Sequence, residues 1–222
     1  MRHAYSETNM ISMPLGSPER FDIKYLDPPL HQKGVEQCKF IAVELSKYTN
    51  IKYLFVSPLI RARQTAILST LCLHNIQYFV HPLLIENIIK PSSIPTLFKQ
   101  LPSENINLMY FPEYADRYYY LKGIKYEKEI VDISKDKCLA DAYLATANKM
   151  KHLQPIKFES DEEFMKRMMR VIEFMRSFIE ERQVKDGEIL VVTHTKVMDV
   201  IEKLLKMSYS KHVNGGIYEV SL

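Results

Sequence analysis

Four side chains spread over most of the chain carry chemistry worth explaining: Arg2 and His3 at the start, Arg61 in SPLIRARQTA and His194 in EILVVTHTKV. Taken singly, a histidine is more often a satisfied structural group than a catalyst, and an arginine is usually solvated. Brought to one point, two arginines and two histidines form a positive pocket that is costly unless an anion neutralises it. Phosphate is the natural occupant, because the planar guanidinium fork takes two of its oxygens at once. A neutral imidazole among cations resists protonation and stays available as a nucleophile. The pattern is equipment for phosphoryl transfer, with Asn9 beside the first pair.

The elements that must position these residues are legible in the hydrophobic pattern. IKYLFVSP from Ile51 and GEILVVTH are short apolar runs of the kind buried in parallel sheets. Val35, Cys38, Ile41, Ala42 and Leu45 recur at helical spacing, and a second helix is expected from Ala62 to Leu73. SDEE at Ser160 offers a capping box with Glu163 to a helix whose apolar face is Phe164, Met168, Val171, Ile172, Met175 and Ile179. KVMDVIEKLLK reads as a further helix and GGIYEVSL as a last strand. This alternation predicts an α/β fold. Ligands in such folds collect beyond the carboxyl ends of strands, where the three polar clusters fall.

The segments around these residues resemble the histidine phosphatase superfamily, also called the phosphoglycerate mutase-like family. RHAYSETN is similar to its Arg-His-Gly-x-x-x-x-Asn signature, DPPLHQKGVEQ to Leu-Thr-x-x-Gly-x-x-Gln with His31 in place of Thr, and SPLIRARQTA to Ser-x-Leu-x-Arg-x-x-Gln-Thr-Ala. LLIEN resembles the acid segment, and VVTHTKV the strand that delivers the second histidine. The resemblance implies a three-layer αβα sandwich around a mostly parallel central sheet, with an inserted cap. It implies that His3 is the nucleophile, forming a phosphohistidine, and that Arg2, Arg61 and His194 bind the phosphoryl group, with Asn9 a further contact. Arg61 rather than Arg63 occupies the motif position. Glu86 would protonate the leaving oxygen and then activate water. No metal and no cofactor is required by such a mechanism. His31, His81 and Cys38 are expected to be structural.

Several positions depart from the family pattern. Ala4 stands where glycine is usual after the nucleophile. Thr195 stands where glycine commonly follows the second histidine, and its hydroxyl could contact substrate in place of the backbone. An Asp there would mark the acid-phosphatase branch, so the resemblance is to the mutase-like branch. ENIIKPSSIP lacks the glycine- and arginine-containing segment of the mutases, which favours phosphomonoester hydrolysis over phosphoglycerate mutase activity. The alternative from another class is a non-catalytic phosphate-binding or scaffold relative, a disabled enzyme. Only Met1 precedes Arg-His, where relatives carry several apolar residues of a central strand. Apolar residues restored upstream should therefore raise the melting temperature, and equal melting temperatures would sink that expectation.

Composition sets the remaining bounds. With 222 residues, 46% hydrophobic and 26% charged, one domain spanning 1–222 is expected. Residues 87–157 break the alternation with KPSSIP, YADRYYYLKG and KYEKE, and are read as the cap, whose tyrosines pack it on the body. A net charge of +3 without a basic stripe gives no case for nucleic acid. No run approaches the roughly 20 apolar residues of a membrane span. Cys38, Cys72 and Cys138 are odd in number and widely spaced, as in a reducing compartment, so the cytoplasm is expected. The expected partner is a phosphorylated small molecule or phosphoprotein.

Overall fold

The computed structural model describes residues 1–11, 25, 27–87, 91–93, 106–108 and 159–222. Cys138, the Tyr-rich stretch and most of the expected cap lie outside the described residues. Four parallel strands form the sheet: β1 (Tyr53–Val56), β2 (Gln77–Val80), β3 (Ile106–Leu108) and β4 (Ile189–Val192), in the order β3-β2-β1-β4. Past β4 the chain start continues the sheet through a parallel bridge between Arg2 and Thr193. Thr193 N–H donates to Met1 O at 3.0 Å and His3 N–H to Thr193 O at 2.9 Å.

The helices are α1 (Glu7–Met10), α2 (Gln32–Leu45), α3 (Ile60–Ser69), α4 (Asp161–Arg182) and α5 (Thr195–Leu204). Two separate cores show that they flank the sheet. Leu54 and Val56 of β1 pack with Cys38, Ile41 and Leu45 of α2 and Ala62 and Ala66 of α3. Tyr53 and Phe55, pointing the other way, pack with Phe164, Met168, Val171, Met175 and Phe178 of α4 and Val197 of α5. Because side chains alternate along a strand, an uninterrupted apolar run such as YLFV can feed both cores. The result is the expected αβα sandwich.

Local signals act as the sequence suggests. Ser160 accepts from Glu163 N–H at 3.2 Å while Glu163 reaches back to Ser160 N–H at 2.9 Å, closing the capping box of α4. His31 caps α2, its Nδ1 accepting from Lys33 N–H at 3.1 Å, which accounts for its presence without any catalytic role. Burial pushes the Cys38 thiol up to about 11, the state of an inert core cysteine.

Several elements differ from expectation. β2 goes unanticipated, and so does β3, which lies within the stretch 87–157 read as the cap. The last strand expected from GGIYEVSL does not form: residues 217–222 make no ladder. The turn before them meets the chain start instead, through Arg2 N–H to Gly216 O at 3.0 Å and Gly215 N–H to Arg2 O and His3 O, each at 3.2 Å. A cavity of about 780 Å³ is lined by residues of β4 and of this tail, among them Ile189, Val191 and Ile217–Leu222.

Candidate functional site

α3 and α2 together fix the loop that follows His3. Ala4 N–H donates to Thr65 Oγ1 at 3.0 Å, and Tyr5 N–H to Gln37 Oε1 at 3.0 Å. α2 can approach this closely because it carries Gly34, where an added Cβ would fall 2.0 Å from Tyr5 O. From the other side Asn214 Nδ2 donates to His3 O at 3.1 Å, and Gly215 N–H reaches Arg2 O and His3 O, each at 3.2 Å. Gly215 takes φ +76°, a conformation that suits glycine.

His3 is 5% exposed, and its Nδ1 lies 2.7 Å from its neighbour's carbonyl, Ala4 O. A carbonyl only accepts, so Nδ1 carries the proton and Nε2 keeps its lone pair. Arg61 Nε lies 3.3 Å from that Nε2 and donates to it. The ring of His194 stands 5.0 Å from that of His3, centroid to centroid. His194 occupies the N-cap position of α5, with Nε2 2.7 Å from Ser57 Oγ. Its Nδ1 is buried with no hydrogen-bond partner among the described residues.

The electrostatics follow from crowding. Burial, then the charges of Arg61, His3 and Arg2, hold His194 well below the usual histidine range, so it is neutral at pH 7. Arg61, buried at 4% exposure, and half-buried Arg2 are lowered by desolvation, and the charge of Glu86 supports the protonated form of both. Arg61 Nη1 is anchored on Ser92 O at 2.8 Å and Arg2 Nη1 on His212 O at 2.8 Å. A dense, partly dehydrated positive cluster around one unprotonated imidazole nitrogen is suited to a tetrahedral anion.

The structure thus brings Arg2, His3, Arg61 and His194 together and sets Glu86 within electrostatic reach of both arginines. Asn9 also holds the backbone. Its Oδ1 accepts from Ser6 N–H at 2.9 Å and Ser6 Oγ at 2.8 Å, so the carboxamide oxygen closes the turn into α1. Thr195 is the first residue of α5 and half-buried. Burial lowers His81 to about 3, and its Nδ1 accepts from Leu83 N–H at 3.2 Å, a capping role on the 3-10 turn Pro82–Leu84. Among the described residues no three His, Cys, Asp or Glu side chains gather as a metal site, and no helix is long and apolar enough to cross a membrane.

Sequence reasoning missed Ser57, Ser92, His212 and Asn214. Ser57 opens the Ser-x-Leu-x-Arg segment, a signal that could have found it. His212 and Ser92 act through main-chain carbonyls, which leave no residue-type signal. His212 itself is buried between Asp199 Oδ1 at 3.0 Å and Glu202 Oε1 at 2.8 Å, fixing the loop that holds Arg2.

Residues 1–88 match the model of the histidine phosphatase superfamily (branch 1). No protein of curated function matches the chain. Among solved structures, the α-ribazole phosphatase from Shigella flexneri is 19% identical over 94% of this chain and 79% of its own, with a TM-score of 0.52, which shows the fold. A structure described as a putative α-ribazole-5'-P phosphatase from Escherichia coli is 21% identical, again over 94% and 79%, with a TM-score of 0.46. The ecdysone phosphate phosphatase from Bombix mori, solved with tungstate, is 15% identical over 99% and 80%, with a TM-score of 0.46.

Proposed function

We propose that this chain, whose residues 1–88 belong to branch 1 of the histidine phosphatase superfamily, hydrolyses phosphomonoesters through a phosphohistidine on His3. The observation that carries the reading is the setting of the His3 ring: Nδ1 lies 2.7 Å from Ala4 O, and Nε2 lies against Arg61 beside Arg2 and His194. In the first step Nε2 attacks phosphorus, the bond to the ester oxygen breaks, and the carboxyl of Glu86 gives its proton to the leaving oxygen. In the second, the Glu86 carboxylate takes a proton from water, the water oxygen attacks phosphorus, and the P–N bond breaks to release phosphate. Arg2, Arg61 and neutral His194 stabilise the equatorial oxygens, with Thr195 at the start of α5 a further contact. The substrate is a small phosphorylated molecule or a phosphoprotein, the reaction needs no metal, and the cytoplasm is its site.

The test is hydrolysis of an aryl phosphate from mildly acidic to neutral pH, without added metal, by the intact chain and by His3→Ala. Turnover abolished in the variant, with acid-labile phosphate trapped on the intact chain, supports the reading. No turnover from either folded chain overturns it in favour of a phosphate-binding protein.

A further inference from the structure

Arg167 of α4 is wholly excluded from solvent, yet no step above uses it. Its Nε and Nη2 fork onto the carboxylate of Glu159 at 2.7 and 2.6 Å, and Glu159 is itself buried. The remaining arm, Nη1, donates to Leu83 O at 2.5 Å and to Ile85 O at 3.0 Å. The carbonyl between these two, Leu84 O, accepts from Thr193 Oγ1 at 2.8 Å, one residue before His194. Three successive carbonyls are therefore gripped from outside their own segment. Leu83, Leu84 and Ile85 are each 0% exposed, and the next residue is Glu86.

This segment leaves β2 through one 3-10 turn, held by Leu84 N–H on His81 O and Leu83 N–H on His81 Nδ1, and enters no further ladder before Glu86, so its carbonyls take their partners from outside it. A buried ion pair is weak evidence for stability, because the desolvation of two charges offsets their attraction. What this pair does supply is geometry: one rigid planar group links α4 to the main chain just ahead of Glu86.

We propose that Arg167, oriented by Glu159, is a positioning residue for proton transfer at the candidate site, holding Leu83 O and Ile85 O so that the Glu86 carboxyl stands where the leaving oxygen departs. The inference rests on the reading of Glu86 as proton donor. Lysine at 167 keeps the charge but lacks the fork, so it cannot serve Glu159 and both carbonyls in the same geometry.

The experiment compares kcat/KM for an alkyl phosphate, whose leaving oxygen needs a proton, with that for 2,4-dinitrophenyl phosphate, whose leaving oxygen does not. Arg167→Lys is expected to lose about tenfold or more on the alkyl ester and less than about threefold on the aryl ester, and to shift the basic limb of the alkyl-ester pH profile. Should that variant fail to fold by circular dichroism, Arg167→Gln combined with Glu159→Gln replaces the ion pair with neutral amides and is read the same way. Equal losses on the two esters, or none, overturn the proposal and leave Arg167 a packing residue. Glu86→Gln is the control. If it discriminates between the esters and the Arg167 variants do not, only the positioning role fails. If Glu86→Gln does not discriminate, the proton-donor reading fails and the role of Arg167 falls with it.

Discussion

Arg61 Nε lies 3.3 Å from His3 Nε2, while Arg61 Nη1 is held 2.8 Å from Ser92 O. The guanidinium is thus tied at one end to the main chain and faces the imidazole lone pair with the other. Two of its donors set its position, and its charge serves whatever occupies the space beside His3. Arg61→Lys keeps a cation but cannot hold both contacts in one plane. The expected result is a fall in kcat/KM of about a hundredfold and a loss of most of the rise in Tm that inorganic phosphate gives the intact chain. Activity within about threefold of the intact chain would remove Arg61 from the site.

Ser57 Oγ fixes the ring of His194 through Nε2 at 2.7 Å, which leaves Nδ1 as the ring nitrogen with no partner among the described residues. Ser57→Ala frees the ring to turn and costs a buried hydrogen bond of about 1 kcal/mol. kcat/KM should fall about tenfold, by analogy with the loss of groups that orient a histidine ligand, while Ser57→Thr, which retains the hydroxyl, recovers part of it. Equal activity of the Ala and Thr variants would show that the hydroxyl is not used.

The legible part of this protein was the part whose physics lies in side-chain type and spacing. Arg2, His3, Arg61 and His194 could be assembled from three strand ends because polar residues at such ends are conspicuous after apolar runs. The stripe of α4 was equally plain, since its apolar residues share one face and Ser160 with Glu163 mark where it starts. QYFV, which forms β2, is four residues long, opens on a glutamine and offers no alternation. GGIYEVSL has strand character, yet a strand needs a neighbour, and residues 217–222 find no ladder partner among the described residues. The grip of Arg167 and the anchoring of Arg2 pass through carbonyl oxygens, which every residue has. The role of Asn9 was inferred from resemblance, and its carboxamide oxygen proves to be engaged by Ser6.

Gly34 makes the site depend on packing 31 residues downstream of the nucleophile. A methyl group at this position meets Tyr5 O at 2.0 Å, and the atom in the way is main chain, which cannot swing aside. Gly34→Ala must push α2 off the loop that carries Ala4 and Tyr5. The expected cost is about 3 kcal/mol, at the upper end for overpacking, with kcat/KM reduced at temperatures where the variant is still folded. A Tm equal to that of the intact chain, measured by calorimetry, would mean that the contact is far looser than its geometry implies.

Acid should destabilise this protein earlier than carboxylate protonation alone would. Burial lowers His81 from 6.5 to about 3, and burial with the charges of Arg61, His3 and Arg2 holds His194 well below the usual histidine range. Both are bases whose folded forms resist protonation, so the unfolded chain binds more protons and stability must fall as pH falls. For His81 the loss begins near 6.5 and is complete below about 3, and buried His194 adds to it with the same sign. Unfolding free energies from urea titration should therefore drop between pH 6.5 and pH 3. An unfolding free energy that stays level across that range would mean that neither ring resists protonation.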